Sequence, residues 1–314
     1  MRVVFMGTPE FAVPSLEEVS KEHEILAVVT QPDRKRGRGQ KVSYSPVKEL
    51  AVERGYEVWQ PERVSNPQFI ASLQALNADV IVVVAFGQLI PDSILTMTPH
   101  GCINLHSSLL PKYRGAAPIN AAIVNCETET GVTTMYLNSQ WDAGDIILQE
   151  RETILPTDTA GTLHDRLMIK GADLLVETLR QMENGTAPRI PQNHDEATYA
   201  YKLAKEDAFV DFSKTAAELD CLIRGMNPWP VAYIVVGGEQ IKIWKASPKS
   251  GRAPSGQIAA ISDEGLLVGC GEGLLALEKV QRPNSRKITG RDLANGLRLS
   301  VGQYLVGDSC EAEC

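Results

Sequence analysis

Over the first half of the chain, short Val- and Ile-rich runs alternate with helix-like stretches, and this limits the fold more than any other feature. Arg2–Met6, Ile25–Thr30, Asp79–Phe86 and Cys102–His106 read as buried strands. Between them stand helical patterns at Ser15–Lys21, Pro46–Arg54 and Pro67–Leu76, the second with Ser45 as N-cap and Pro46 at the first helical position. Strand–helix alternation of this kind implies right-handed crossovers and a mostly parallel sheet. Gly131–Leu137 and Asp145–Glu150 add two strands, and a long helix over Ala160–Met182 closes the unit.

The stretch Thr186–Ala197 has two prolines, several polar residues and no periodicity, and reads as a linker. Beyond it the texture changes. A helix over Thr215–Met226 precedes Val231–Val236, the turn Gly237-Gly238 and Gln240–Lys245, a strong hairpin signal. Gly256–Ser262, Gly265–Cys270 and Gly273–Val280 are short strands between glycine turns, and a last helix covers Thr289–Leu299. Short strands at close spacing imply a small β-barrel. The expected fold is therefore α/β, a Rossmann-like parallel sheet followed by a barrel, with domains at 1–189 and 207–314 and a linker at 190–206.

With 314 residues and 43% hydrophobic content, there is enough apolar material for two cores. The longest apolar run, Val80–Phe86, falls far short of the ~18 residues that span a bilayer. Met1–Met6 enters a strand-like run with no signal-peptide layout, so a cytoplasmic location is expected. The six cysteines are scattered without Cys-x-x-Cys or Cys/His ligand spacing, which predicts neither a disulfide framework nor a metal site. A net charge of −8 argues against a general nucleic-acid coat, yet bases are concentrated locally. Lys242, Lys245, Lys249 and Arg252 follow one another without an acid, Lys279–Arg298 holds six bases against Asp292, and the loop Asp33–Lys41 carries Arg34, Lys35, Arg36, Arg38 and Lys41. A solvated, mobile face is the ordinary meaning of such a run.

Ligands of open α/β sheets bind outside the carboxyl ends of the strands. Asn104 and His106 stand two apart on one strand, so both side chains share a face, ~7 Å apart. A carboxamide and an imidazole so placed can stabilise an oxyanion, although a hydrogen-bonded structural histidine is the commoner occupant of such a position. Pro111 keeps Ser108–Pro111 extended, and Pro118 suits the first turn of a helix. Trp141-Asp142-Ala143-Gly144-Asp145 is an acidic turn between strands, where turn chemistry alone would explain Asp142.

Four segments carry a family resemblance. They are Asn104-Leu105-His106-x-Ser108-Leu109-Leu110-Pro111-x-Tyr113-Arg114-Gly115, Asp142-x-Gly144-Asp145, Gln31-Pro32-Asp33, and Asn227-Pro228-Trp229-Pro230. With them the sequence resembles the methionyl-tRNA formyltransferases, within the wider family of enzymes that use 10-formyltetrahydrofolate. Val231 stands where a glycine is usual, and Gln140-Trp141 replaces the usual Gly-Leu. The resemblance implies attack of the methionyl α-amine of initiator tRNA on the formyl carbon, through a tetrahedral intermediate. Asn104 and a protonated His106 would donate to the oxyanion, while Asp142 would favour the charged imidazole and relay a proton. Folate would contact Ser108, Leu109, Leu110 and Pro111, with Phe86, Gly87, Gln88, Leu89 and Ile90 as the wall for its pterin ring. The basic loop would meet the acceptor end of the tRNA, and an OB-like barrel with Lys242, Lys245 and Lys249 would track its backbone. Nothing in the residues resembles a metal site, and a monomer is expected.

Two other readings remain. An amino-sugar or other small amine as acceptor would need neither the basic loop nor the barrel. A catalytically silent RNA-binding protein would not need Asn104, His106 and Asp142 together. His23, His100, His164 and His194 have no paired acid or ligand spacing and read as structural or solvent-facing. Gly7-Thr8-Pro9 follows the first strand as a dinucleotide turn would, without that fingerprint's other glycines. Trp229, between two prolines, reads as a packing anchor.

Overall fold

The Val- and Ile-rich runs become the central strands of one twisted sheet. The computed structural model describes residues 1–36 and 41–305; Arg38, Cys310 and Cys314 lie outside them. The first of two units gathers Met1–Pro118, Glu129–Thr153 and His164–Ala200. Its strands are β1 (Arg2–Gly7), β2 (Glu24–Val29), β3 (Arg34–Arg36), β4 (Lys41–Ser43), β5 (Val58–Trp59), β6 (Val80–Val84), β7 (Cys102–His106), β8 (Arg114–Gly115), β9 (Glu129–Tyr136), β10 (Ile146–Thr153) and β11 (Tyr199–Ala200). The helices up to this point are α1 (Val13–Glu22), α2 (Pro46–Glu53), α3 (Pro67–Ala75), α4 (Asp92–Leu95), α5 (Pro118–Val124) and α6 (Ala160–Glu183).

The main sheet runs β10-β9-β7-β6-β1-β2-β5. Its centre is parallel, while β9 is antiparallel to both β7 and β10. All five residues of β6, a continuous apolar run, are buried, as a sheet covered on both faces requires, and all five of β7 are buried as well, although two of them are polar. The chain builds outward from β1 through β2 to β5, then crosses to β6 and β7, so the order reverses between β1 and β6. Ser45 caps α2 as expected, accepting the Lys48 N–H at 3.2 Å. Helix α6 lies close on β7: a Cβ at Gly171 would stand 2.7 Å from Leu105 Cδ2. The sequence does not predict the short strands β3, β4, β5, β8 and β11, because each has too few residues to show a period.

The second unit gathers Ile119–Thr128, Ile154–Leu163 and the chain from Tyr201 onward. It contains α7 (Ala216–Gly225), β12 (Tyr233–Val236), β13 (Glu239–Lys249), β14 (Ile258–Ser262), β15 (Gly265–Gly269), β16 (Leu274–Gln281), β17 (Lys287–Thr289) and α8 (Gly290–Leu297). An antiparallel path β12-β13-β16-β15-β14, with β17 on β16, encloses a core that includes Leu219, Ile223, Ile234, Ile241, Leu275 and Leu277. Thr215 and Glu218 form a capping box at the start of α7. Gly237 and Gly238 both take positive φ, 56° and 82°, as a primed hairpin turn between β12 and β13 requires. The expected class, a parallel α/β sheet followed by a small antiparallel β unit, is the one observed.

Two expectations fail in this unit. Cys126 and Cys221 form a disulfide with a Cα–Cα distance of 5.5 Å, whereas the sequence predicts no disulfide. They lie 95 residues apart, so spacing gives no hint of the pairing. Trp229, read as a packing anchor, is 55% exposed. Val231, the departure from glycine, sits at φ 73°, a conformation that glycine adopts freely and a β-branched residue does not. Among the described residues, no helix is long and apolar enough to cross a membrane.

Candidate active site

The end of β7 presents Asn104 and His106, both buried. The backbone carbonyl of Tyr113 accepts the His106 Nε2–H at 2.9 Å. That bond fixes the ring and leaves Nδ1 as the nitrogen facing Asp142, whose Oδ2 is 3.8 Å away. The separation is an ion-pair distance rather than a hydrogen bond. Because β9 runs against β7, the chain leaves β9 beside Cys102, where Leu137 N–H meets the Cys102 carbonyl at 2.8 Å. The loop then folds back, bringing Asp142 to His106. Its carboxylate is tied there by the Gly115 N–H, 2.8 Å from Oδ2. Gly144 is obligatory in this loop, since a Cβ would fall 1.8 Å from the Tyr136 carbonyl oxygen.

A second layer holds the turn. Gln192 is buried and bridges two groups: its Oε1 accepts from Arg114 Nε at 3.1 Å and Nη2 at 2.7 Å. Its Nε2 donates to the carbonyls of Asp142 at 2.9 Å and Gly144 at 2.7 Å. Arg114 is itself buried, and its Nη2 also lies 3.2 Å from His194 Nδ1. His194 is thus engaged with a buried guanidinium, and the stretch read as a linker supplies residues that support the site. Sequence reasoning missed Gln192 and gave Arg114 no role. The composition of that stretch is polar and aperiodic, so nothing in it marks one residue for burial.

Ser108–Pro111 forms the adjacent wall. Thr133 Oγ1 donates to the Ser108 carbonyl at 2.6 Å and accepts the Leu110 N–H at 3.2 Å, while Gln149 Nε2 donates to the Leu110 carbonyl at 2.9 Å. In the Phe86–Ile90 segment, Phe86 and Ile90 are buried, and Leu89 is 74% exposed. Gln88 is held by Val64 N–H and the Pro61 carbonyl. Of the basic residues expected to meet nucleic acid, Lys242, Lys245 and Lys249 all lie on β13. The fold brings acids that the linear window lacks: Lys245 pairs at 2.6 Å with Glu278 on the neighbouring β16, and Lys249 at 2.9 Å with Glu264 in the turn between β14 and β15. Arg34, Lys35 and Arg36 form β3, which pairs with β4 from Lys41.

A carboxamide, an oriented imidazole and a carboxylate at the end of a parallel sheet suit addition of an amine to a carbonyl carbon. The chain belongs to the formyl transferase family: that family's model matches residues 1–179, and the model of the family's C-terminal domain matches residues 202–298. Among its relatives are proteins named methionyl-tRNA formyltransferase. The one from Caldanaerobacter subterraneus is 48% identical over 97% of this chain and 100% of its own length. The one from Acetivibrio thermocellus is 45% identical over 97% of this chain and 99% of its own. Solved structures share the fold at lower identity. WlaRD, a sugar 3N-formyltransferase, superposes with a TM-score of 0.67 at 19% identity, covering 91% of this chain and 99% of that one. HypX from Aquifex aeolicus in complex with tetrahydrofolic acid gives a TM-score of 0.62 at 17% identity, over 96% of this chain and 48% of that one.

Proposed function

We propose that this chain transfers the formyl group of 10-formyltetrahydrofolate to the α-amine of methionyl initiator tRNA, giving N-formylmethionyl-tRNA. The observation that carries the chemistry is the buried Asn104 beside the His106–Asp142 pair. The identity of the acceptor rests on relatives of that name matched across nearly the whole chain.

Folate supplies a formyl group activated on nitrogen. Ser108, Leu109, Leu110 and Pro111 would bind it, their backbone pinned by Thr133 and Gln149. Phe86, Gly87, Gln88, Leu89 and Ile90 would face its ring. That fit rests on an open Gly87 and an exposed Leu89 between two buried anchors, an apolar and backbone-rich surface suited to a flat heterocycle. As the amine attacks, negative charge develops on the formyl oxygen. Asn104 donates to it from its carboxamide. His106, with Nε2 committed to the Tyr113 carbonyl, donates from a protonated Nδ1. Asp142 stabilises that cation, accepts the proton leaving the amine and passes it to the departing folate nitrogen, so that the proton lost by one nitrogen is gained by the other.

The domain at 1–189, together with Gln192 and His194 from the linker at 190–206, would carry this chemistry, and that at 207–314 the tRNA contacts. Arg34, Lys35, Arg36, Arg38, Lys41, Lys242, Lys245 and Lys249 would meet phosphates. A monomer is proposed because Asn104, His106, Asp142, Arg114 and Gln192 all come from one chain. The protein would work in the cytoplasm, where charged initiator tRNA is made.

The test is transfer of labelled formyl to methionyl initiator tRNA, with elongator methionyl-tRNA and free amines as controls. Asn104→Ala and His106→Ala should each lose roughly 10²–10³ in kcat. Arg38→Ala should raise the KM for tRNA and leave folate affinity unchanged. Folate turnover with only small amines would overturn the assignment of the acceptor.

A further inference from the structure

The sheet's order reverses between β1 and β6, and open α/β sheets bind ligands in the crevice outside such a reversal. A cavity of about 240 Å³ stands at these strand ends, lined by Thr8, Gln31, Pro32, Asp33, Ser43, Ser45 and Gly87. None of these is among the reacting groups, and only Gly87 also belongs to the segment proposed to face the folate ring. The lining is hydroxyl, carboxamide and carboxylate, and the volume lies below the ~300 Å³ at which drug-sized sites begin, so it suits one sugar ring.

The arrangement has the parts of a ribose site. Thr8 follows the first strand and Asp33 follows the second, the place from which a dinucleotide-binding sheet offers its acid to a ribose hydroxyl. Thr8 Oγ1 donates to the Phe86 carbonyl at 3.1 Å and accepts the Gln31 N–H at 3.3 Å. Gln31 Nε2 reaches the same carbonyl at 3.2 Å. Asp33 is fixed by Lys48, 2.5 Å from Oδ2, and by Gln60, 2.9 Å from Oδ1. The Lys48 and Gln60 bonds hold its carboxyl below the usual carboxylate range, hence ionised. A carboxylate has about four acceptor positions, and these two bonds use two.

The registers Gly7↔Val84 and Val84↔Leu105 place Gly7, Val84 and Leu105 in one row across β1, β6 and β7, with Thr8 and His106 the next residues at its two ends. Two strand spacings separate the ends of that row, about 10 Å. A ribose and the one aminoacyl unit esterified to it cross such a gap.

We propose that this crevice binds the ribose of the acceptor's terminal nucleoside, with Asp33 accepting a hydrogen bond from the hydroxyl next to the aminoacyl ester. This rests on the aminoacyl-tRNA reading above. The probe is 3′-deoxy-3′-(methionylamino)adenosine, which cannot be hydrolysed to the free amino acid, against its 2′-deoxy analogue, by titration calorimetry on the full chain. Wild type should bind the hydroxylated probe at least about tenfold tighter, since a hydrogen bond to a charged group is lost in the analogue. Asp33→Ala, which has no acceptor, should bind the two probes equally, with folate affinity and thermal midpoint as controls for folding. Equal binding of both probes to wild type overturns the proposal, as does discrimination that survives in Asp33→Ala. Failure of formyl transfer with discrimination intact would instead overturn the assigned reaction and leave the crevice standing.

Discussion

Replacing Gln192 by alanine removes one side chain that joins a buried guanidinium to the loop carrying Asp142. Two bonds from Arg114 and two to the carbonyls of Asp142 and Gly144 disappear together. Hydrogen bonds to a charged partner contribute ~1.5–3 kcal/mol, and neutral ones ~1 kcal/mol. Treating the bifurcated Arg114 contact as one charged bond gives a loss of about 3–5 kcal/mol. Native domains hold ~5–15 kcal/mol, so the variant should remain mostly folded. A displacement near 1 Å at a catalytic group costs up to about 10² in rate. Gln192→Ala should therefore show a lower urea midpoint and a kcat/KM reduced by roughly 10–10² in formyl transfer. Gln192→Glu keeps the acceptor for Arg114 but turns an oxygen toward two carbonyls. It should lose less stability than the alanine variant while still losing turnover. A kcat/KM within twofold of wild type in Gln192→Ala would refute this argument.

The remaining expectations concern stability. Gly144→Ala forces a Cβ against the Tyr136 carbonyl oxygen, a backbone atom that cannot move aside cheaply, and should cost about 1–3 kcal/mol or more in urea unfolding. Reduction of the Cys126–Cys221 bond opens a closure of 95 residues, and oxidised protein should exceed reduced by up to about 4 kcal/mol. Cys126→Ser should abolish that difference, and intact-mass and thiol-labelling measurements would report the bond directly. Burial, followed by the charge of the Met1 ammonium, lowers the pKa of His23. The unfolded chain then binds the proton more readily, so this stability is full above about pH 6.5 and is lost as pH falls below it. His23→Gln should flatten the urea midpoint between pH 7.5 and pH 5 relative to wild type; parallel curves would refute it.

The central strands are legible in the sequence because buried parallel strands are long apolar runs, and helix starts because Ser45 and Thr215 cap where such residues do. Asn104, His106 and Asp142 are legible as residue types within a motif, but not in their geometry. That Nε2 is committed to Tyr113, leaving Nδ1 toward Asp142, depends on a chain reversal that no local pattern encodes. Gln192 is hidden for a similar reason. Its burial comes from packing against a loop 50 residues away in sequence, and a polar aperiodic stretch looks alike whether solvated or docked. The run of lysines on β13 misleads in the opposite direction. A window along the chain counts neighbours in sequence, whereas charge is balanced by residues that the fold brings near, Glu278 on β16 and Glu264 in the β14–β15 turn.

Asp142 occupies a left-handed backbone conformation, with φ at 48°. Glycine, asparagine and aspartate tolerate that region, while other side chains incur about 1–2 kcal/mol there. Two independent filters therefore act on one position. The backbone favours three residue types, and the proton transfer proposed beside His106 would need a carboxylate, aspartate or glutamate. Aspartate alone suits both. The substitution Asp142→Asn changes the charge and leaves the main chain at ease, so it isolates the chemistry, whereas Asp142→Ala or Asp142→Glu mixes it with a cost that belongs to the turn.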